Sequence, residues 1–190
     1  MSAFFWIGNH PGLDFLNTAA ADDSGDPLEL LDDFSALTSW LRESGLTTPS
    51  VLRQVHIDQR DELVAWARRL RAAGRAVLDP EARRTTGVRA LDAIVAEVPV
   101  RLAYRSANGD RPPVDAVEPV DRVRLALALA VLDATRLDPE RVRRCGRPGC
   151  VLLFYDTSKN GTRRWCDMAV CGNRAKAAAH YERRRARSRS

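Results

Sequence analysis

The feature that most constrains the fold of this chain is the spacing of its four cysteines. They are Cys145, Cys150, Cys166 and Cys171. This C-x4-C-x15-C-x4-C pattern makes two close pairs, separated by enough chain for a hairpin, and Pro148-Gly149 favours a tight turn in the first pair. Four thiolates gathered from two such turns are a ligand set of structural Zn²⁺ sites. The spacing therefore predicts a structural zinc centre near the C-terminus.

Other uses of four cysteines are less consistent with the sequence. The apolar patch at the N-terminus is about five residues long and has no basic region before it, unlike a signal peptide. We therefore expect a cytoplasmic protein with reduced thiols, which disfavours two disulfides. A redox-active pair usually has two intervening residues rather than four, and the spacings match none of the ferredoxin cluster patterns. A closed four-thiolate site also leaves no position for a reactive water.

Charge is distributed unevenly along the chain. Residues 141–190 hold 14 Lys+Arg against 3 Asp+Glu, whereas residues 1–140 hold 16 against 22. A basic C-terminal part indicates a polyanionic partner. A merely solvated basic tail is the alternative, and it fits only the last residues, RRRARSRS. No apolar run approaches the roughly 20 residues that span a bilayer, so no membrane partner is expected.

The N-terminal part is predicted to be α+β and dominated by about four helices. Short runs at 3–7 and 13–18 flank the turn-rich GNHPG and predict a first hairpin. Runs at 100–105 and 114–117 flank Asn108-Gly109 and predict a second. We expect the two hairpins to share one small antiparallel sheet in a domain over residues 1–140, followed by a zinc module over 141–190.

Helical signals fill the segments between these hairpins. Asp32 or Asp33 can cap a helix that ends at Gly45. A long helix is predicted after Thr48-Pro49, and another after Asp79-Pro80. The helix that opens near Pro119 and runs to about 137 is apolar on all sides at its centre, which predicts burial.

The C-terminal module is predicted to be a hairpin followed by a basic helix. VLLFYD suggests a strand, SKNGTR a turn and RRWC the return strand, while the alanine-rich GNRAKAAAHYERRRAR favours a helix. The nucleic-acid-binding candidates are Lys159, Arg163, Arg164, Asn173, Arg174, Lys176, Arg183, Arg184 and Arg187. Asn173 and Arg174 have side chains suited to adenine and guanine edges. Alternatively, Arg174 caps the thiolates or pairs with Asp167, and Asn173 lies in a turn at the helix start.

This C-terminal stretch resembles the CGNR zinc-finger family, whose name is spelled by residues 171–174. Arg164-Trp165-Cys166 also matches that family's pattern, and the resemblance covers about a quarter of the chain. The preceding region is similar to the ABATE domain, described as a putative stress-induced transcription regulator, on residues 13–18 and on the helix from Phe34 to Leu41. The resemblance implies DNA binding and transcriptional control.

The leading hypothesis is therefore a zinc-dependent DNA-binding regulator, and a homodimer would suit DNA half-sites. An RNA- or ribosome-associated zinc protein is the alternative. A third hypothesis makes the N-terminal domain a small-molecule sensor, with Asp14, Asn17 and Thr18 lining a pocket and the finger a structural or protein-contact module. Those residues can equally be the outward positions of a strand. The scattered histidines and the lack of a nucleophile motif, phosphate loop or carboxylate pair predict no enzymatic activity.

Overall fold

The structure is a computed structural model that describes residues 3–22, 24–82, 84–102 and 114–187, with the backbone alone at 102, 186 and 187. Its helices are α1 (Pro11–Leu16), α2 (Phe34–Ser44), α3 (Pro49–Gln54), α4 (Arg60–Leu78), α5 (Arg84–Ala96), α6 (Pro119–Ala134) and α7 (Asn173–Arg187). Its strands are β1 (Ala19–Ala21), β2 (Pro27–Glu29), β3 (Arg101–Leu102), β4 (Val114–Asp115), β5 (Val142–Arg144) and β6 (Leu153–Tyr155). Helices dominate, and the predicted α+β class is confirmed.

The described strands form three separate two-stranded antiparallel sheets. β1 pairs with β2, β3 with β4, and β5 with β6. The second predicted hairpin is therefore present as β3 and β4, while its turn at Asn108-Gly109 lies outside the described residues. The expectation that the N-terminal hairpins share one sheet is wrong, because β1–β2 and β3–β4 are not hydrogen-bonded to each other.

The first predicted hairpin is also wrong, because residues 13–16 lie in α1, and 17–18 in the turn after it, where a strand was expected. The His10 imidazole accepts a hydrogen bond from the Gly12 amide at 3.1 Å, and Pro11 occupies the first turn. The GNHPG segment is thus a helix start, in which proline loses no needed hydrogen bond. Leu13, Phe15 and Leu16 are all fully buried. A six-residue helix buried all round shows no helical periodicity, which is why its sequence resembles a strand.

The longer helices largely begin and end where their caps predict. The Asp33 carboxylate accepts a hydrogen bond from the Ala36 amide at 2.7 Å, and Gly45 ends α2 with φ 71°. The single long helix predicted after Thr48-Pro49 is instead two helices, because the backbone turns to an extended conformation at Val55 before α4 begins. None of the helices within the described ranges is both long and apolar enough to cross a membrane.

The main hydrophobic core lies between α1, α2, α4 and α6. Among its fully buried side chains are Trp40, Leu70 and Leu127. α1 contacts α6 backbone to backbone, because a Cβ at Gly12 would collide with the carbonyl oxygen of Ala130. α6 is buried along much of its length, as its apolar centre predicts.

The C-terminal hairpin is formed by a different pair of segments from the predicted one. β5 and β6 enclose the first cysteine pair, and the RRWC segment is not a strand. Val142 and Leu153 from these strands join the main core. The boundary between residues 140 and 141 stays a prediction, and the packing of both strands extends across it.

Candidate metal centre and basic helix

The four cysteine sulfurs converge on one buried point. Their Sγ atoms all lie within 4.8 Å of one another, and the individual separations include 3.4 Å for Cys166–Cys171 and 3.9 Å for Cys150–Cys166. Two sulfurs that each lie about 2.3 Å from a tetrahedral Zn²⁺ are about 3.8 Å apart. A disulfide would bring two sulfurs to about 2.05 Å, and none of the four cysteines forms one. The donor set and its size therefore fit a four-coordinate metal ion.

The first pair of ligands is positioned by the β5–β6 hairpin. Cys145 follows β5 directly, and its amide donates to the Leu152 carbonyl at 2.9 Å. The chain then makes a tight turn in which the Cys150 amide donates to the Arg147 carbonyl at 3.0 Å, with Gly149 at φ 78°. The turn predicted from Pro148-Gly149 is thus present, and it points both sulfurs inward.

The second pair is held beside the first by the backbone. The Gly146 amide donates to the Arg164 carbonyl at 2.9 Å, and the Cys166 amide faces the Cys145 sulfur at 3.5 Å. Cys171 lies in a single wide helical turn, Met168–Gly172, whose start is capped by the Asp167 carboxylate. α7 continues from this turn without a break, so a ligand of the metal site is joined directly to the basic helix.

Electrostatics within the cluster call for a cation. Donation from Cys150 and Cys166 holds the pKa of Cys145 well below its usual range. In turn, Cys145 raises the pKa of Cys150 to about 11, and it raises the pKa of Cys166 as well. Four sulfurs this close cannot all ionise unaided, because like charges disfavour each other. A divalent cation compensates that charge, and coordinating thiols are then deprotonated.

Arg147 adds one positive charge at this site, and sequence reasoning did not select it. Burial lowers the pKa of its guanidinium, but the sulfurs of Cys171 and Cys150 outweigh burial, so the pKa is raised. Arg147 thus has a thiolate-facing role of the kind that the sequence offered for Arg174. Its position between the first two ligands was the only available signal.

The module is docked onto the N-terminal body through α1 and α4. The Asn17 side chain, 1% exposed, both donates to the carbonyl of Leu153 and accepts from its amide, each at 2.8 Å. The Tyr155 amide donates to the Gly8 carbonyl at 2.8 Å, and Arg75 donates to the Val151 carbonyl at 2.6 Å. These hydrogen bonds all engage backbone atoms of the finger, and the Arg144 side chain adds ion pairs to Asp79 and Glu81 of the body.

The three predicted ligand-binding residues form contacts within the protein. Asn17 pairs with β6, while buried Thr18 donates to the Phe15 carbonyl at 2.7 Å. Asp14 accepts from the Gly8 amide at 2.7 Å, and burial raises the pKa of its carboxyl to about 6. The predicted role in ligand binding stays untested, but these contacts give each side chain a structural use. None of the three lines the groove along α6, whose walls include His10 and Pro11.

α7 presents its charge to solvent. Ala175 and Ala179 are half-buried, and the other described α7 side chains are exposed. The exposed nucleic-acid-binding candidates are Lys159, Arg164, Asn173, Arg174, Lys176, Arg183 and Arg184. The side chain of Arg187 lies outside the described residues. Asn173 donates to the Ala169 carbonyl at 3.0 Å, which is the helix-start role that the sequence left open.

Arg163 differs from its basic neighbours, because its guanidinium is engaged inside the module, and its predicted role in binding nucleic acid stays a prediction. Its guanidinium lies 4.4 Å from the ring centre of fully buried Phe154 and donates to the carbonyls of Trp165 and Cys166. Its backbone amide donates to buried Asp156 at 2.8 Å. These contacts fix the backbone at Trp165 and Cys166. Sequence alone could not distinguish Arg163 from exposed Arg164, because both lie in one short basic run.

Comparisons with known families agree with this architecture. The CGNR zinc finger matches residues 141–184, which fits a metal-binding finger at the observed cysteine cluster. ABATE, described as "putative stress-induced transcription regulator", matches residues 9–149. That match spans 141 of the 190 residues, so the chain belongs to the ABATE family and carries a CGNR zinc finger at its end. No curated protein matches the chain. The two family matches overlap at 141–149, the segment that holds β5.

Proposed function

We propose that this protein is a zinc-dependent, DNA-binding transcription regulator that acts in the cytoplasm and binds DNA through α7. Four sulfur donors in a closed cluster support zinc as the metal. Membership of the ABATE family supports a role as a regulator, and its description points to a stress signal. The proposal gives the protein no catalytic role and makes the N-terminal body the part that receives the signal.

The observation that carries this proposal is the exposure of a highly basic α7. Its 15 residues hold six cationic side chains against the single acid Glu182. A helix that serves a core buries a stripe of apolar residues, whereas α7 half-buries only two alanines among its described side chains. An α-helix about 10–12 Å wide fits the roughly 12 Å major groove. Exposed cations near phosphates release counterions, which supplies affinity.

Metal dependence follows from the connection between Cys171 and α7. The helix begins two residues after this ligand, and its first turn carries the contacts that orient it. Loss of the metal would remove the fixed point from which α7 projects. We therefore expect chelation to abolish DNA binding, even though the charges of α7 remain.

The test is fluorescence anisotropy of the zinc-loaded protein with labelled duplex DNA over a salt titration. The variant Arg183→Ala/Arg184→Ala/Arg187→Ala should weaken binding and lower the slope of log K against log salt by about 0.9 per lost phosphate contact. The matched control removes three exposed arginines of the body, Arg42→Ala/Arg53→Ala/Arg89→Ala. Equal losses in both triple variants would show that net charge alone drives binding, and would refute α7 as the DNA-binding element.

RNA binding is the second candidate, and one exposed aromatic residue favours it. Tyr181 is 67% exposed on the basic helix, where it can stack on an unpaired base. If RNA is the ligand, Tyr181→Ala should lower the affinity for single-stranded RNA by about tenfold or more. The same change should leave duplex DNA binding nearly unaltered if α7 reads a duplex through phosphates.

A further inference from the structure

The N-terminal body contains a groove of about 1090 Å³ along one face of α6. The opposite wall comes from the 45–48 loop, the start of α3 and β4. Ligand pockets are commonly about 300–1,000 Å³, so this space is large enough for a small molecule. Leu125, Leu129 and Leu132 follow each other along its floor at helical spacing, and Leu129 is 39% exposed. An apolar strip of roughly 10 Å is thus open along the groove.

Two arginines, Arg122 and Arg136, line the groove and offer positions for an anion. Half-buried Arg122 lines one end, and its Nε donates to the Ala116 carbonyl at 2.9 Å, which fixes the direction of the guanidinium. Within the described ranges, Arg122 makes no ion pair. The groove's acids have partners: Asp133 lies 3.1 Å from the His10 imidazole, and Asp115 accepts from the Ala116 amide at 2.9 Å. A carboxylate is the natural partner for an oriented guanidinium.

The far end of the groove is connected to the metal module by α1. His10 and Pro11 line the groove, and the Gly12 amide donates to His10. Because Nδ1 of His10 accepts this hydrogen bond, Nε2 carries the ring hydrogen and donates to Asp133. At its other end, α1 is capped by Asn17, which holds the backbone of Leu153 in β6. One six-residue helix thus contacts both the groove and the finger.

We propose that this groove binds a medium-chain carboxylate, with its anionic group at Arg122 and its tail along the leucines of α6, and that α1 passes its occupancy to β6. The ligand is identified by chemistry: one negative charge, and an apolar chain of about 10 Å. This deepens the sensing part of the proposed function, because it gives the N-terminal body a ligand class and a route to the finger. The binding site itself does not require α7 to bind DNA.

The experiment is calorimetric titration of the full-length, zinc-loaded protein with octanoate, octanamide and octylammonium, which share one tail. Octanoate should bind at least tenfold more tightly than the cation, with the amide between them. Arg122→Gln should lower octanoate affinity by about tenfold or more and reduce the preference for the anion. Arg89→Gln, an exposed arginine on α5 that makes the same charge change away from the groove, should bind as the unaltered protein does.

A second variant guards against loss of folding in Arg122→Gln, since that side chain also holds Ala116. Leu129→Glu places a negative charge beside the expected tail at a position that is already 39% exposed. It should abolish octanoate binding, whereas Leu28→Glu, at a similarly exposed leucine on β2 (37%), should not. Equal effects of the two glutamates would overturn the assignment of the groove.

Communication is measured on the same samples by amide NMR. Octanoate should shift the amide signals of Asn17, Leu153 and Tyr155 at saturations that match the calorimetric curve. Binding without these shifts overturns the route through α1, and absence of heat and of shifts up to millimolar octanoate overturns the site. Neither measurement uses DNA, so a failure here is distinguishable from a failure of α7 to bind nucleic acid.

Discussion

The body and the metal module reach a folded state by different means. The main core cluster contains twenty-six buried residues, largely Leu, Val and Ala, drawn from α1 to α6 and the segments between them, together with Val142 and Leu153 of the module's strands. The module's cluster contains seven, and four of these are the cysteines. Apolar burial on the scale of the body can offset the loss of chain entropy, whereas so small a cluster usually needs a cross-link or a metal. We infer that this chain divides its stability between solvent exclusion and metal coordination.

The two regions also use their principal helices in opposite ways. α6 buries most of its length and exposes part of one face in the groove. α7 is held at its first turn, beside Cys171, and exposes most of its side chains. Sequence composition separates the two, because α6 is rich in Leu and Val whereas α7 is rich in Arg.

Removal of the metal should break this comparison most severely. In Cys166→Ser, or after chelation, we expect 141–187 to lose its order, because structural zinc contributes about 10–16 kcal/mol to finger folding at neutral pH. Hydrogen exchange should show unprotected amides in 145–172 while amides of α4 and α6 stay protected. Val170→Ser is the control: it changes an exposed residue in the helical turn that holds Cys171, and it should retain one metal per chain. A Cys166→Ser protein that keeps its metal and its finger protection would refute the four-thiolate site.

The asparagines that join body and module should differ sharply in importance. Asn17→Ala leaves the buried amide and carbonyl of Leu153 unpaired, and should lower the free energy of unfolding by about 2–4 kcal/mol. Asn9 donates to the Tyr155 carbonyl at an exposed position and has φ 57°. Asn9→Gly keeps that conformation accessible and should lower stability by less than about 1 kcal/mol. Urea unfolding measures both, and comparable losses would show that the buried pairing is not what holds β6.

Much of this architecture was predictable where the signal is local. The cysteine spacing predicted that the four sulfurs would cluster, and the caps at Asp33 and Gly45 predicted α2, because each depends on neighbouring residues. The nature of α1 was not predictable, since burial on all sides removes the periodicity that distinguishes a helix from a strand. The groove was also beyond reach, because its walls come from segments far apart in the chain. Arg163 shows the same limit for a side chain, whose destination depended on where Phe154 would lie.

Titration of Asp14 should give a smaller effect on stability. Its carboxyl binds the amide of Gly8, and the Gly8 carbonyl in turn binds Tyr155 of the module. Burial raises the pKa of Asp14 to about 6, although the amides of Gly8 and Ile7 oppose that shift. The folded state therefore binds a proton more readily than the unfolded chain, and stability should rise as pH falls through about 6. From pH 7.5 to 5.5, the unfolding free energy should gain less than about 0.8 kcal/mol relative to Asp14→Asn, after allowance for solvent screening. A difference between the two proteins that is independent of pH would contradict this assignment.

Truncation after Ala179 should have the smallest effect on stability. The described side chains beyond this point are exposed, so the unfolding free energy should change by less than about 0.5 kcal/mol. Nucleic-acid affinity should fall strongly, because the deletion removes Arg183, Arg184, Arg185 and Arg187. Thermal unfolding measures the stability of the truncated protein, and fluorescence anisotropy measures its affinity for nucleic acid. The two results together sharpen the contrast between α6, which stabilises the fold, and α7, which is exposed for contact. A destabilised truncation would mean that the end of α7 packs against the protein.

The close approach of Gly12 to α6 also has a mechanical consequence. Where side chains separate two packed helices, rotamer changes can accommodate a movement of one helix without moving the other. At Gly12 the backbones of α1 and α6 meet with no side chain between them, so the two helices should move together as one rigid unit. A displacement of α6 would then reach Leu153 with little attenuation, over the length of a six-residue helix. The smallest side chain in this contact thus sets its stiffness.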